Sequence, residues 1–252
     1  MIEVERVSKR YGADAVVDEM SFSVARGELL VLLGESGSGK TTTLKMINRL
    51  VEPSAGRVLL DGDDASRLPP WELRRAIGYV FQKIGLFPHL TVGENIAVTP
   101  RLLGWSRERI RDRVEELLGL VELDAGMRDR FPETLSGGQQ QRVGVARALA
   151  AGPKVMLLDE PFGALDPLIR DRLQESFQRI RRQLDLTAVF VTHDVVEALT
   201  LGDRVAVMRD GKLLQIGAPA ELRSASADDY VLEFLETPLR QTRRVAERLE
   251  GR

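Results

Sequence analysis

The stretch LLVLLGESGSGKTTTLKMINRL, residues 29–50, decides the fold. It opens on LLVLL (29–33), a continuous apolar run of the kind a parallel strand shows when both its faces are buried. It closes on TTTLKMINRL (41–50), where Leu44, Ile47 and Leu50 recur at helical spacing. Between them GESGSGKT (34–41) matches G-x-x-x-x-G-K-[ST] in full, in the strand-to-helix setting that a phosphate-binding loop needs. Gly34, Gly37 and Gly39 let backbone N–H groups turn inward around phosphate oxygens. Lys40 supplies a point charge to the β and γ phosphates, and Thr41 offers a hydroxyl to Mg²⁺. Glu35, Ser36, Ser38 and Thr42 complete the run expected to line a nucleotide. A Ser/Gly-rich loop that merely turns is the plainer alternative, and the flanking strand and helix argue against it.

Nucleotide chemistry also needs a carboxylate at the mouth of a neighbouring strand. VMLLDE (155–160) provides four apolar residues followed by Asp159 and Glu160. Asp159 is expected to hold Mg²⁺, directly or through water. Glu160, one residue further, is placed to orient or deprotonate an attacking water. An acidic turn after a strand is the bland reading, which the loop upstream outweighs. Two more polar residues end strand-like runs: Gln82 after IGYVF and His193 after AVFVT. Loops beyond such strands form the ligand crevice of open α/β sheets. Gln82 is therefore a candidate for sensing Mg²⁺ or the water, and His193 for the γ-phosphate. Taken singly, each is an ordinary strand-end polar group.

The rest of the chain sets limits. The 252 residues suffice for one large α/β domain or two small lobes. The net charge of -2, from 36 basic and 38 acidic residues, carries no sequence-wide footprint for nucleic acid. The absence of cysteine removes disulfides and thiolate metal sites and fits a reducing compartment. His89 and His193 are too far apart in sequence to suggest zinc. No apolar run approaches membrane-spanning length and the N-terminus lacks a signal-peptide core, so the chain reads as cytosolic.

Strand-like pieces at 2–7, 20–24 and 57–62 make the N-terminal part β-rich, residues 83 to 151 are mostly helical in pattern, and strands return at 155–158, 188–192 and 204–208. The helical part comprises 94–105, 107–121 and the run after LSGG. A further helix carries Leu173, Phe177, Ile180 and Leu184. Asp210-Gly211 signals a hairpin, and the charged tail, 218–252, reads as helical. The alternation argues for a mainly parallel sheet covered by helices, with a β lobe and a helical lobe attached.

LSGGQQQR (135–142) places two glycines behind a serine at a helix start. Ser136 is a natural N-cap, and Gln139 can close a capping box. An ordinary capped helix is the plain reading. The sharper one is an anion site, because bare glycines at a helix N-terminus let a large anion approach unpaired N–H groups.

GESGSGKT, Gln82, LSGGQQQR, VMLLDE, ALD (164–166) and His193, in that order, resemble the ATP-binding subunit of an ABC transporter over residues 1 to about 235. The resemblance implies an α/β P-loop NTPase with a RecA-like, mainly parallel core (about 1–82 and 152–235), an antiparallel β subdomain and an inserted helical subdomain (about 83–151). A charged helical tail follows at 236–252. It implies ATP and Mg²⁺ as ligands, with Thr41, Gln82 and Asp159 toward the metal and Glu160, Gln82 and His193 toward hydrolysis. Two subunits would pair head to tail, most simply as a homodimer. Ser136, Gly137, Gly138 and Gln139 of one would cap ATP on the loop of the other, and Asp166 would run along the seam. Tyr11, in RYG, matches the aromatic that stacks on adenine, although a surface tyrosine after a strand reads equally plainly.

The further partners implied are transmembrane permease subunits and, through them, a solute-binding protein, at the cytoplasmic face of the membrane. Leu86, Phe87 and Leu90 would suit docking of a permease loop, or would pack within the lobe. EPFGALDP (160–167) looks like importers of small solutes, and residues 81–105 together with TTTLKMINRLVEPSAG (41–56) are similar to ATPases of the quaternary-amine group, which take up osmoprotectants such as glycine betaine, carnitine, choline or proline. No CBS pair is expected in the roughly 17 residues after Leu235. Other small-solute importers and exporters share these motifs and stay open. A DNA-repair ATPase is disfavoured by the 95-residue separation of Lys40 and Leu135 without heptads, and a two-cassette translation factor by the single loop and single LSGG.

Overall fold

The computed structural model describes residues 1–163, 165–223 and 228–249. Ala164 of ALD and residues 224–227 and 250–252 of the expected tail lie outside the described residues. The elements run β1 (Ile2–Tyr11), β2 (Asp14–Val24), β3 (Leu29–Leu33), α1 (Lys40–Ile47), β4 (Ala55–Leu60), β5 (Asp63–Asp64), α2 (Pro70–Ala76), β6 (Ile77–Val80), α3 (Val92–Ile96) and α4 (Val98–Leu102). They continue α5 (Arg107–Leu120), α6 (Gly137–Leu149), β7 (Val155–Asp159), α7 (Pro167–Gln183), β8 (Thr187–Thr192), α8 (Val195–Leu201), β9 (Arg204–Arg209), β10 (Lys212–Gly217) and α9 (Asp229–Leu249). The chain divides into two compact units, one of residues 1–24, 28–62 and 189–252, the other of 25–27 and 63–188.

In the first unit, β2, β1 and β4 form an antiparallel sheet in that spatial order. Strand alternation puts Ile2 and Val4 of β1 inside, but the next buried residue is Val7. The shift is a bulge at Arg6, whose φ is +43°, and the register against β4 slips between Glu5 and Ser8. Only glycine fits opposite: a Cβ on Gly56 would stand 2.2 Å from the Arg6 carbonyl oxygen. In the same unit β3 pairs parallel with β9, and β9 pairs antiparallel with β10. All five β3 residues are fully buried, as the uninterrupted LLVLL run anticipates. Asp210 and Gly211 turn the β9–β10 hairpin with φ of +48° and +79°, the left-handed pair a two-residue turn requires.

In the second unit β6 pairs parallel with β7, and α6 packs against β6, α3, α5 and α7. Its core includes Met156, Leu157 and Leu158 of β7 with Val143, Ala146 and Leu149 of α6. Two expectations are corrected here. The helix read over 94–105 is two short ones, α3 and α4, meeting at Ala97. Pro100 explains the break, since it has no N–H to donate back to Ile96 and its ring clashes with that carbonyl. The strand read over 77–82 stops at Val80, and Phe81 leaves it to lay its ring on Tyr79 at 4.3 Å, so Gln82 sits on the loop beyond.

Candidate functional site

In the first unit the phosphate loop connects β3 to α1. Gly39 begins the helix at φ +94°, a left-handed conformation, and brings no side chain to cap it. By contrast α3, α5, α6, α7 and α8 each take a side-chain acceptor at their N-terminus. Gly34 is packed against β9, where a Cβ would stand 2.3 Å from the Met208 carbonyl oxygen. Lys40 is 5% exposed, and its ammonium donates to the carbonyls of Gly34 and Glu35 at 2.7 Å each and to Ser38 Oγ at 3.3 Å. Of the three threonines that follow, Thr43 donates its hydroxyl to the Gly39 carbonyl at 3.0 Å, while Thr41 and Thr42 stay half-buried at the loop. Glu35, Ser36 and Gly37 form the exposed rim.

Two other candidates belong to this unit. Tyr11 ends β1 with 54% of its surface exposed, and Lys9 Nζ lies 5.0 Å from its ring centre. His193 is exposed and wedged between the end of β8 and Asp194. Asp194 caps α8 by accepting from Val196 N and Glu197 N, so His193 has little backbone freedom.

In the second unit Asp159 is the last residue of β7 and is buried, with the Tyr79 hydroxyl donating to it at 3.5 Å. Burial, and then the Asp159 charge, push the Tyr79 phenol far above its ordinary range, so it remains a donor. Glu160 turns out of the strand at φ +45°, a conformation costly for a non-glycine residue and common at functional sites. Its Oε2 accepts from Gln82 Nε2 at 3.0 Å. The structure thus brings Asp159, Glu160 and Gln82 together, residues separated by up to 78 positions in the chain.

The LSGG helix is also in this unit. Ser136 Oγ accepts from Gln139 N at 3.3 Å and Gln139 Oε1 from Ser136 N at 2.9 Å, the capping box read from the sequence. The two glycines differ. Gly137 is exposed, with Leu165 Cδ2 the nearest atom to a notional Cβ at 3.8 Å. Gly138 is buried against α7, where a Cβ would stand 2.7 Å from Ile169 Cγ2, so packing alone demands a glycine. Asp166 caps α7 by accepting from Ile169 N at 3.1 Å.

Sequence reasoning missed the residues that shape the loop after Gln82. Asn95, fully buried, donates to the carbonyls of Phe87, Leu90 and Thr91 at 3.0–3.1 Å and accepts from Phe87 N at 2.8 Å. Phe87 is thereby held exposed. Arg147 of α6 donates to the carbonyls of Ile84 and Gly85, and burial lowers its pKa. Neither residue carries a motif that marks it.

The family model described as ABC transporter matches residues 17–163, more than half the chain. The chain belongs to the ABC transporter family. Among curated members it is 50% identical over 252 residues to the glycine betaine/carnitine/choline transport ATP-binding protein OpuCA of Bacillus subtilis (strain 168), covering 99% of this chain and 66% of that one. It is 52% identical over 234 residues to the glycine betaine uptake system ATP-binding protein YehX of Escherichia coli (strain K12), covering 93% and 76%. The chain spans slightly less than two thirds of OpuCA, and 62% of the choline transport ATP-binding protein OpuBA of Bacillus subtilis. Among solved structures, it is similar to the ATP-binding cassette MJ0796 in a dimeric post-hydrolysis state bound to ADP and Pi, with 33% identity, a TM-score of 0.78, and 87% and 99% of the two chains covered. Like such cassettes it is an α/β P-loop protein with a mixed sheet and an antiparallel one. Among the described residues no helix is long and apolar enough to cross a membrane.

Proposed function

We propose that the chain is the ATP-binding and ATP-hydrolysing subunit of an importer of quaternary-amine osmoprotectants. The observation that carries the chemistry is the Gln82–Glu160 hydrogen bond directly after Asp159, in a chain that also bears GESGSGKT at an uncapped helix start. The phosphate loop, Gly34 through Thr42, binds the triphosphate, and Lys40 exchanges its loop carbonyls for phosphate oxygens. Tyr11 offers an exposed ring to adenine. Glu160, steadied by Gln82, accepts the proton of the attacking water, and His193 donates to the γ-phosphate.

Magnesium fits the donor set. Within the second unit Asp159 would contribute a buried carboxylate and Gln82 a neutral oxygen, and Thr41 is the hydroxyl that the resemblance assigns to the metal. Hard oxygen donors of this kind, few in number and supplemented by phosphate and water, suit Mg²⁺. When bound, it neutralises charge on the phosphate oxygens.

Ser136, Gly137, Gly138 and Gln139 present a helix N-terminus to ATP held by a second copy, with Asp166 along the seam. The dimeric cassette similar to this chain supports that arrangement. A core of about 1–82 and 152–235, a helical subdomain of about 83–151 and a tail at 236–252 remain part of this proposal. Permease subunits bind through the Phe87 loop that Asn95 holds, a solute-binding protein acts through them, and the chain sits at the cytoplasmic membrane face. The relatives' names support a glycine betaine, carnitine or choline cargo.

The test is twofold. Purified protein is assayed for Mg²⁺-dependent ATP hydrolysis with and without Glu160→Gln, which should bind ATP, stall turnover and accumulate a dimer. The membrane and binding proteins that co-purify are then assayed with betaine, carnitine and choline. Unchanged turnover in Glu160→Gln removes the catalytic assignment, and failure of all three solutes to bind removes the cargo.

A further inference from the structure

In the second unit the chain between Gln82 and Phe87 runs over the surface, with Lys83 and Gly85 exposed and Ile84 half-buried. Both ends of this segment are fixed. Gln82 Nε2 donates to Glu160 at 3.0 Å, and the Phe87 backbone is bonded through its N–H and its carbonyl to Asn95. Between those points the polypeptide is hydrogen-bonded, among the described residues, to one side chain. Arg147, in the last turn of α6, donates from its two terminal nitrogens to the Ile84 carbonyl at 2.6 Å and the Gly85 carbonyl at 2.8 Å. Its guanidinium carbon also lies 5.9 Å from the centre of the Phe87 ring. Gly85 stands at φ +59°, left-handed, in the turn that presents the two carbonyls. A planar guanidinium serves two such acceptors at once, which a lysine ammonium does only as a point charge. Among the described residues no carboxylate pairs with this guanidinium, so carbonyl dipoles balance its charge and the bonds are charge-assisted. Three residues earlier on α6, Gly144 leaves room for the loop: a Cβ there would stand 2.9 Å from Ile84 Cγ2. The helix thus grips the loop twice, once by close packing and once by the guanidinium.

We propose that Arg147 is a positioning residue for ATP hydrolysis, holding the loop after Gln82 against α6 so that the Gln82 amide stays within reach of Glu160. It touches neither nucleotide nor water and acts through Gln82. Without the fork, residues 83–86 hang between two fixed points, and the amide leaves the carboxylate. Ser136 caps the same helix, so α6 carries the LSGG face at one end and the seat of its own chain's catalytic loop at the other. This rests on the roles of Gln82 and Glu160 proposed above.

The experiment is a double-mutant cycle on the full chain, with kcat and KM from phosphate release, Kd for ATP from calorimetry, and backbone order parameters of residues 83–86 from NMR relaxation. Arg147→Lys keeps the stem and the charge and removes the fork. It should lower kcat about tenfold, the equivalent of one charge-assisted hydrogen bond, with Kd changed less than about twofold. The order parameters should fall from roughly 0.85 to below about 0.6. In a Gln82→Ala background the same substitution should lower kcat by less than about twofold. Gly144→Ala, which leaves Arg147 intact and presses on Ile84, is the second variant and should show the same dependence on Gln82. An equal fall in kcat in both backgrounds, unaltered order parameters in Arg147→Lys, or a loss expressed in Kd overturns the proposal. A parent chain that does not hydrolyse ATP, or a Gln82→Ala variant with parent turnover, refutes the reading of the site and takes the proposal with it, a result distinguishable from failure of the Arg147 role alone.

Discussion

Gly137 and Gly138 stand side by side yet should respond oppositely to alanine. At Gly138 the new Cβ would meet Ile169 Cγ2 at 2.7 Å and Cδ1 at 3.7 Å. Carbon atoms rest at about 3.5–4.0 Å, so Ile169 must withdraw by roughly an ångström. Its backbone is tied to Asp166 through the α7 cap, so the withdrawal falls on the side chain. Overpacking of this kind costs about 1–3 kcal/mol. The gain in helix propensity from glycine to alanine returns at most ~1 kcal/mol. A net loss of up to about 2 kcal/mol corresponds to a melting temperature lowered by up to roughly 4–8 °C in a chain of this size. Gly137→Ala meets nothing closer than 3.8 Å and should melt at the parent temperature or slightly above. Its methyl nevertheless stands on the exposed face that the proposed head-to-tail dimer would offer to the partner's ATP, so on that proposal hydrolysis should fall at least tenfold. Thermal melts by circular dichroism, read beside ATPase rates, separate the two. Ile169→Leu, which removes the offending methyl, should restore at least half of the melting temperature lost in Gly138→Ala. Equal melting temperatures for the two glycine variants, or full activity in Gly137→Ala, would refute the reasoning.

Lys40→Ala should weaken ATP binding at least tenfold by calorimetry, and parent-like affinity contradicts the loop assignment. Gln82→Ala removes the 3.0 Å bond to Glu160 and should lower kcat about tenfold or more with a smaller change in ATP Kd; a change confined to Kd would place Gln82 elsewhere. Glu122 accepts from Arg179 at 2.6 Å and from Arg142 at 3.1 Å, and these bonds hold its carboxyl below the usual range. Its folded pKa being depressed, the stabilisation is present above the unfolded value of about 4.3 and is lost as pH falls through the folded one. Urea midpoints of Glu122→Gln should therefore lie below the parent at neutral pH and converge with it only as the pH falls below the depressed folded value; a gap that persists in strong acid excludes this ionic origin.

The legible parts of the molecule were those fixed by neighbours in sequence. LLVLL and VMLL became fully buried strands because an uninterrupted apolar run has no polar face to expose. Ser136 with Gln139, Asp166 before Pro167, and Asp210-Gly211 are local chemistry, and each formed the cap or turn expected of it. What escaped reading depends on distant partners. The β1 bulge needs Gly56 opposite Arg6, Gly138 is required by Ile169, and Asn95 shapes a loop that lies four to eight residues before it. The seven-residue helices α2 and α8 are too short for periodicity to announce them. Pro100 was visible, but its neighbours' apolar spacing masked the break it enforces.

Lys40 keeps its own loop in shape. Its ammonium occupies the centre of a ring of two carbonyls and a hydroxyl, so the cradle is preorganised before any anion arrives. Entry of a nucleotide is then an exchange of acceptors on a standing scaffold, with little chain ordering to offset the gain. Substituting the lysine removes both the charge that attracts the phosphate and the strut that holds the ring open. A comparison with arginine at the same position, which retains charge but not the compact fit, divides one loss from the other.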